Sequence, residues 1–183
     1  MFARAFKFSL LLFGLIAASH PASAFGDEQS DKEYAVKAAF ICKFAQFVEW
    51  PEEAFKSTDE PLVIGVIGEN PFQGVLAGIA AEARAGNRKI VIRRFAKPED
   101  VESCQVLFVP ASESSRLDAI FARIQSRPIL SIGETDEFPM AGGTIRFFIE
   151  DGKVHFEVNL ESAQKARLTI SSKLLKLAKI FRR

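Results

Sequence analysis

The apolar positions of this chain recur with two different periods, and the switches between them mark out its elements. Over residues 31–49, Val36, Phe40, Phe44, Phe47 and Val48 recur at helical spacing, with Lys37, Lys43 and Gln46 elsewhere around the barrel, which predicts an amphipathic helix. Trp50-Pro51 stops it, because the residue before a proline avoids helical backbone, and Trp50 is read as a structural residue at that stop. The run PLVIGVIG that follows is continuously apolar and bounded by turn residues, the pattern of a strand buried on both faces. Asn70-Pro71 then predicts a helix start, with the helix running through QGVLAGIAAEARA to Gly86-Asn87.

KIVIRRF, CQVLFVP and RPILSIG predict three more strands. Between them lie a helical turn at PEDVES and a helix over 112–125, with Leu117, Ile120, Phe121 and Ile124 facing inward. Four strands alternating with helical segments predict parallel crossover units and a sheet covered on both faces. The pattern then changes. GTIRFFIEDGKVHFEVN is two alternating strands joined by Asp151-Gly152, a strong hairpin signal, and a helix over 171–181 closes the chain. The expectation is an α/β protein: a three-layer α/β/α sandwich whose mostly parallel sheet is finished by a C-terminal antiparallel hairpin.

The first residues change where this fold begins. Arg4 and Lys7 precede an apolar stretch from Phe8 to Ala18 and a small-residue Ala22-Ser23-Ala24 site, the pattern of a secretory signal peptide over 1–24. That stretch is far short of the roughly 20 residues a membrane span needs. The expected mature chain is one domain over 25–183, exported and soluble. Removing Arg4 and Lys7 from the 24 basic residues leaves 22 against 23 acidic ones, a formal charge of 22 − 23 = −1. Such a balance offers no field to draw in nucleic acid.

Two cysteines, Cys42 and Cys104, remain in the mature chain. In an oxidising compartment they are either a disulfide, stabilising by about 4 kcal/mol in the chain-entropy picture, or two separately buried thiols. With one mature histidine, His155, and no close cysteine pair, no metal site is expected.

Candidate chemistry is sparse. GVIGENPFQG follows a strand, yet it fails the dinucleotide fingerprint and lacks a P-loop ending. Gly68, Glu69 and Asn70 do fall at a strand's C-terminal end, where open α/β sheets bind ligands, so a small-ligand site there stands beside a plain tight turn. No serine elbow G-x-S-x-G occurs. Glu157 is the best candidate acid or base, with Glu134, Asp136, Glu150 and Asp151 as neighbours, but no spacing demands catalysis. No catalytic residue and no cofactor is expected. Phe147 and Phe148 are consecutive in a strand, so one faces away from the core unless both faces are covered, which makes the hairpin a candidate partner surface.

AAFICKFAQFVEWP, PLVIGVIGENPF, CQVLFVPASE, PILSIGE and GGTIRFFIEDGKVHFEVNLESAQKARLTISSKLLKLA, in that order, resemble the YfiR-type periplasmic proteins over roughly 34–179. The resemblance implies a regulator rather than an enzyme: a dimerising periplasmic inhibitor that restrains the sensor part of an inner-membrane diguanylate cyclase. It thereby lowers cyclic-di-GMP and biofilm formation, and an outer-membrane lipoprotein can sequester it. Some relatives accompany sensor kinases, so a small-ligand-binding component of a kinase system is the alternative.

Carried onto FEVN, the resemblance implies partner contact at Glu157, with Phe156 beside it; Phe148 joins them as a partner contact from the strand pattern, while Asn159 reads equally well as a cap on the turn into the next helix. Gly65 stands where the family often has a cysteine, and a second cysteine pair expected near 136–147 is absent.

Overall fold

The structure is a computed structural model that describes residues 24–182. All of the expected signal peptide except its last residue therefore lies outside the described residues. The first helix, α1 (Ala24–Phe47), starts earlier than its periodicity predicts and ends two residues before the expected Glu49. Val48–Glu49 leave it as a short strand, β1, and the Trp50 indole donates to the Gln105 carbonyl at 3.1 Å. The fully buried β2 (Leu62–Ile67) follows.

The helix expected from Asn70-Pro71 is shorter. Asn70 Oδ1 does accept from the Phe72 amide at 3.0 Å, but this closes a local turn. The helix proper, α2 (Val75–Glu82), begins after Gly74, whose φ of 91° is not helical backbone. Its expected tail becomes β3 (Arg84–Ala85), which turns at Gly86-Asn87 to pair antiparallel with β4 (Arg88–Phe95). Next comes β5 (Val106–Val109). The helix expected over 112–125 divides into a 3-10 segment, Ala111–Arg116, and α3 (Leu117–Ile124). After β6 (Leu130–Gly133) the hairpin forms as predicted, with β7 (Ile145–Glu150) and β8 (Lys153–Val158) in register from Ile145 opposite Val158 to Glu150 opposite Lys153.

The chain's end departs most from its pattern. In place of one helix over 171–181 stand α4 (Leu160–Lys165), β9 (Thr169–Ile170), α5 (Ser172–Leu175) and β10 (Lys179–Ile180). β9 pairs with β1, and β10 adds to the outer edge of β8, where unpaired backbone groups await a partner. The Phe181 amide extends that pairing by donating to the Val158 carbonyl at 2.9 Å.

The main sheet has the order β10-β8-β7-β6-β5-β2-β4-β3, parallel from β4 through β7. Alternate side chains of β2 and β5 serve two separate clusters. Leu62, Ile64, Val66, Val106 and Phe108 pack under α1 and α2, while Val63, Ile67, Leu107 and Val109 pack against α3. The α/β architecture therefore has helices on both faces of its sheet. Gly65 shows how tight the second face is, since a Cβ there would sit 2.5 Å from the Phe95 ring.

The same alternation decides the cysteines. Cys42, on α1, belongs to the first cluster and Cys104 to the second, so the sheet lies between them and both are free thiols. The intramolecular disulfide left open by the sequence is not formed. Burial pushes the Cys42 thiol up to about 11 and Cys104 to about 12, which starves both of reactive thiolate.

At pH 8 the native protein should leave both thiols unlabelled by iodoacetamide over minutes and take up two labels after unfolding in urea, as read by mass spectrometry. In the first cluster Phe44 is fully buried and meets Phe156 at 4.9 Å and Phe147 at 5.7 Å between ring centres. Phe44→Ala should cost about 3–5 kcal/mol in a denaturant titration.

Candidate functional site

Two places gather the residues singled out by the sequence. The first is the hairpin. Alternation sends Phe147, Phe156 and Val158 into the first cluster, where Phe147 is 1% and Phe156 3% exposed. Arg146, Phe148, Glu150, Lys153, His155 and Glu157 take the opposite face, and the second cluster contains no residue of β7 or β8. One face of the hairpin is thus core and the other is left outside it.

Phe156, expected as a partner contact, is corrected by this geometry: its ring packs on Phe40 and Phe44 beneath α1. Phe148 is the aromatic ring of the outward face. It stacks on His155 at 5.7 Å, with the Arg146 guanidinium 5.3 Å and the Lys179 ammonium 4.9 Å from its centre. Both cations are in cation–π range.

Glu157 is less free than the sequence suggests. Arg146 Nε donates to its carboxylate at 2.5 Å, and the Arg146 guanidinium also pairs with Asp136. Lys179, brought in by β10, bonds Glu150 at 2.7 Å, and this bond together with its charge holds that carboxylate below the usual range. The result is a ring of compensated charges around Phe148.

Asn159 is a cap in this structure. Its side chain accepts from the Ser162 amide at 3.1 Å and donates to the Pro139 carbonyl at 2.9 Å, which fixes the exit from β8 into α4.

The second place is the C-terminal end of the parallel strands. From β2 the chain crosses through α2 to β4, and from β5 it crosses through α3 to β6, on the other face and in the other direction along the sheet. The strand ends part at that reversal, the position where open α/β sheets leave room for ligands. A cleft of about 430 Å³ lies there, lined by Tyr34, Glu69, Asn70, Gln73, Pro110 and Ser112 among others. Gly68, at φ 70°, turns the chain into it, and a Cβ at Gly68 would run into the Glu113 carboxylate.

Behind the cleft sits an ion pair that the sequence pattern did not single out. Lys37 bonds both Glu33 and Glu134, and the Lys37 and Glu134 side chains are only 5% and 7% exposed. Glu134 also accepts from the Tyr34 hydroxyl at 3.3 Å and from the Ala111 amide at 3.1 Å. Burial first, then the Glu134 and Glu33 charges, keep the Tyr34 phenol protonated well above its ordinary range.

The signal for Lys37 was present. With Ile41 and Phe44 it falls at i, i+4 and i+7 on the buried stripe of α1, so a lysine inside an apolar stripe asks for a buried partner. That the partner is Glu134, 97 residues away, is a tertiary fact.

Glu134→Ala should cost about 3 kcal/mol in urea unfolding, because it strips a buried ammonium of its main partner. Replacing both residues together, Lys37→Met with Glu134→Leu, should recover most of that loss in the same measurement.

Solved structures with a distant likeness to this chain include the following two. A conserved domain protein from Vibrio cholerae is 13% identical with a TM-score of 0.50, over 81% of this chain and 60% of that one. An ABC domain from Streptococcus pneumonia, in complex with L-Trp, is 12% identical with a TM-score of 0.49, over 66% of this chain and 55% of that one. The chain spans less than two thirds of either, and at these identities the Vibrio likeness concerns the fold alone. The family comparison reaches further. A model described as YfiR/HmsC-like matches residues 34–179, from the Tyr34 of the cleft to the Lys179 of the hairpin face. The chain belongs to the YfiR/HmsC-like family.

Proposed function

We propose that this protein restrains an inner-membrane diguanylate cyclase by laying the outward face of β7 and β8 on the cyclase's periplasmic domain. The observation that carries the reading is the division of the hairpin: Phe147 and Phe156 in the core, Phe148 outside it in a ring of charged and aromatic neighbours. An aromatic anchor ringed by polar groups is the anatomy of a protein-docking patch. Binding one conformation of the cyclase shifts its equilibrium toward that conformation, which lowers cyclic-di-GMP with no chemical step. In this reading Glu157 acts through Arg146, holding the guanidinium beside the Phe148 ring. The reading includes a homodimer and sequestration by an outer-membrane lipoprotein, and light scattering of the purified protein tests the dimer.

A second reading is favoured by the cleft at Glu69 and Asn70: a ligand-binding component of a sensor kinase system. Under that reading a small molecule that stabilises the protein in a thermal-shift screen should lose its effect on Gly68→Val and keep it on Phe148→Asp.

The cyclase reading predicts that deleting the gene raises cyclic-di-GMP and that the wild-type gene restores it. Phe148→Asp should fail to restore it while reaching the periplasm at the wild-type level with an unchanged melting temperature. Unchanged cyclic-di-GMP on deletion would sink the proposal. So would full complementation by Phe148→Asp.

A further inference from the structure

A third recess opens on the α3 side of the sheet, between α3 and α4 at the root of the hairpin. Its volume of about 540 Å³ lies in the range of roughly 300–1,000 Å³ common for small-molecule sites. Three buried hydroxyl residues line it, beside the exposed Ser126: Ser131 of β6, Thr144 just before β7, and Ser162 of α4, with residue exposures of 2%, 2% and 8%.

Their hydrogen bonds do not close among themselves. The Thr144 amide donates to Ser131 Oγ at 3.0 Å, and the two hydroxyl oxygens lie 3.2 Å apart. Two hydroxyls carry two hydrogens, and only one is used between them, so one O–H of the pair remains to donate. The Ser162 hydroxyl has no hydrogen-bond partner among the described residues. The Ser162 oxygen is open to the recess, so its O–H and the spare one of the pair can donate to a bound acceptor.

The rest of the lining gives that acceptor a charge and a body. Two cations, Arg127 and Lys165, and one carboxylate, Asp118, are among the lining residues. Arg127 is held in place by the Val101 and Glu102 carbonyls, which leaves its charge uncompensated by that contact. Lys165 pairs with Glu161 in an exposed i,i+4 contact, a kind worth little against a better partner. Ser162 and Lys165 are three residues apart on α4 and therefore share a face. Phe121, Ile124 and Ile129 supply an apolar wall.

We infer that this recess binds a small monocarboxylate with an apolar body. Its carboxylate accepts from Ser162 and the spare Ser131–Thr144 hydroxyl under the Lys165 and Arg127 charges, and its hydrocarbon lies on Phe121, Ile124 and Ile129. The site is separate from the hairpin's outward face and from the cleft at Glu69, and it stands whether or not the cyclase reading does.

The test is isothermal titration of the purified protein with octanoate, 1-octanol and octylamine, three probes sharing a tail and differing in the head. Octanoate should bind saturably at one site, with the alcohol and the amine at least about tenfold weaker, a difference of about 1.4 kcal/mol. Lys165→Glu should weaken octanoate by a similar factor. Ala122→Trp, at an exposed lining position, should abolish binding without changing the melting temperature, while Phe148→Ala should bind as the wild type does. Equal binding of the three probes, octanoate binding that survives Ala122→Trp, or no saturation at millimolar octanoate would each overturn the assignment.

Discussion

Burial of β2 and β5 on both faces is the constraint from which the rest of the molecule follows. Every side chain of these two strands is buried, so each alternation set needs its own cover. α1 and α2 provide one cover and α3 the other, and the crossovers through α2 and α3 leave β2 and β5 in opposite directions along the sheet. The parting of strand ends at the cleft is a by-product of that arrangement, as is the separation of Cys42 from Cys104. A core built this way needs no disulfide across the sheet.

The cover is not symmetrical. α1 extends past the central strands to the hairpin, where Phe40 and Phe44 meet Phe147 and Phe156, but the second cluster stops short of β7 and β8. A strand pair packed on one side only must show its other side to solvent or to another molecule. Charge compensation by Arg146, Asp136, Glu157, Lys179 and Glu150 keeps that face soluble around Phe148. The Phe148 ring is half-buried within that charge network, and the Arg146 and Glu157 side chains are only 16% and 14% exposed.

One connection touches all three candidate sites. β6 and β7 are parallel neighbours, yet no α-helix joins them. The intervening residues instead carry Glu134 to the cleft, Asp136 to Arg146 on the hairpin face, and Ala141 and Gly142 to the recess under α4. Phe138 pins the segment, fully buried against Phe121, and the Pro139 carbonyl receives the Asn159 amide. A shift of this segment would register at every one of these places, because packed cores move between discrete arrangements rather than deforming smoothly.

The strands and the hairpin were legible in the sequence because the two-residue alternation and the continuous apolar runs are local signals that burial turns directly into structure. α1 and its stop at Trp50-Pro51 were legible for the same reason, and so was Asn159 as a cap, since capping involves residues three apart. The outward orientation of either Phe147 or Phe148 followed from parity alone, but which one faced out depended on where α1 lay. Periodicity also read residues 171–181 as one helix; the open edge of β8 recruits 179–180 as a strand instead, an opportunity that exists only once the sheet is built. Lys37 stands on an apolar stripe that asks for a buried partner, whereas Glu134 looks like a surface charge in its own segment. Only the folded chain brings them together out of water, and there an unpaired charge would cost more than the helix could return.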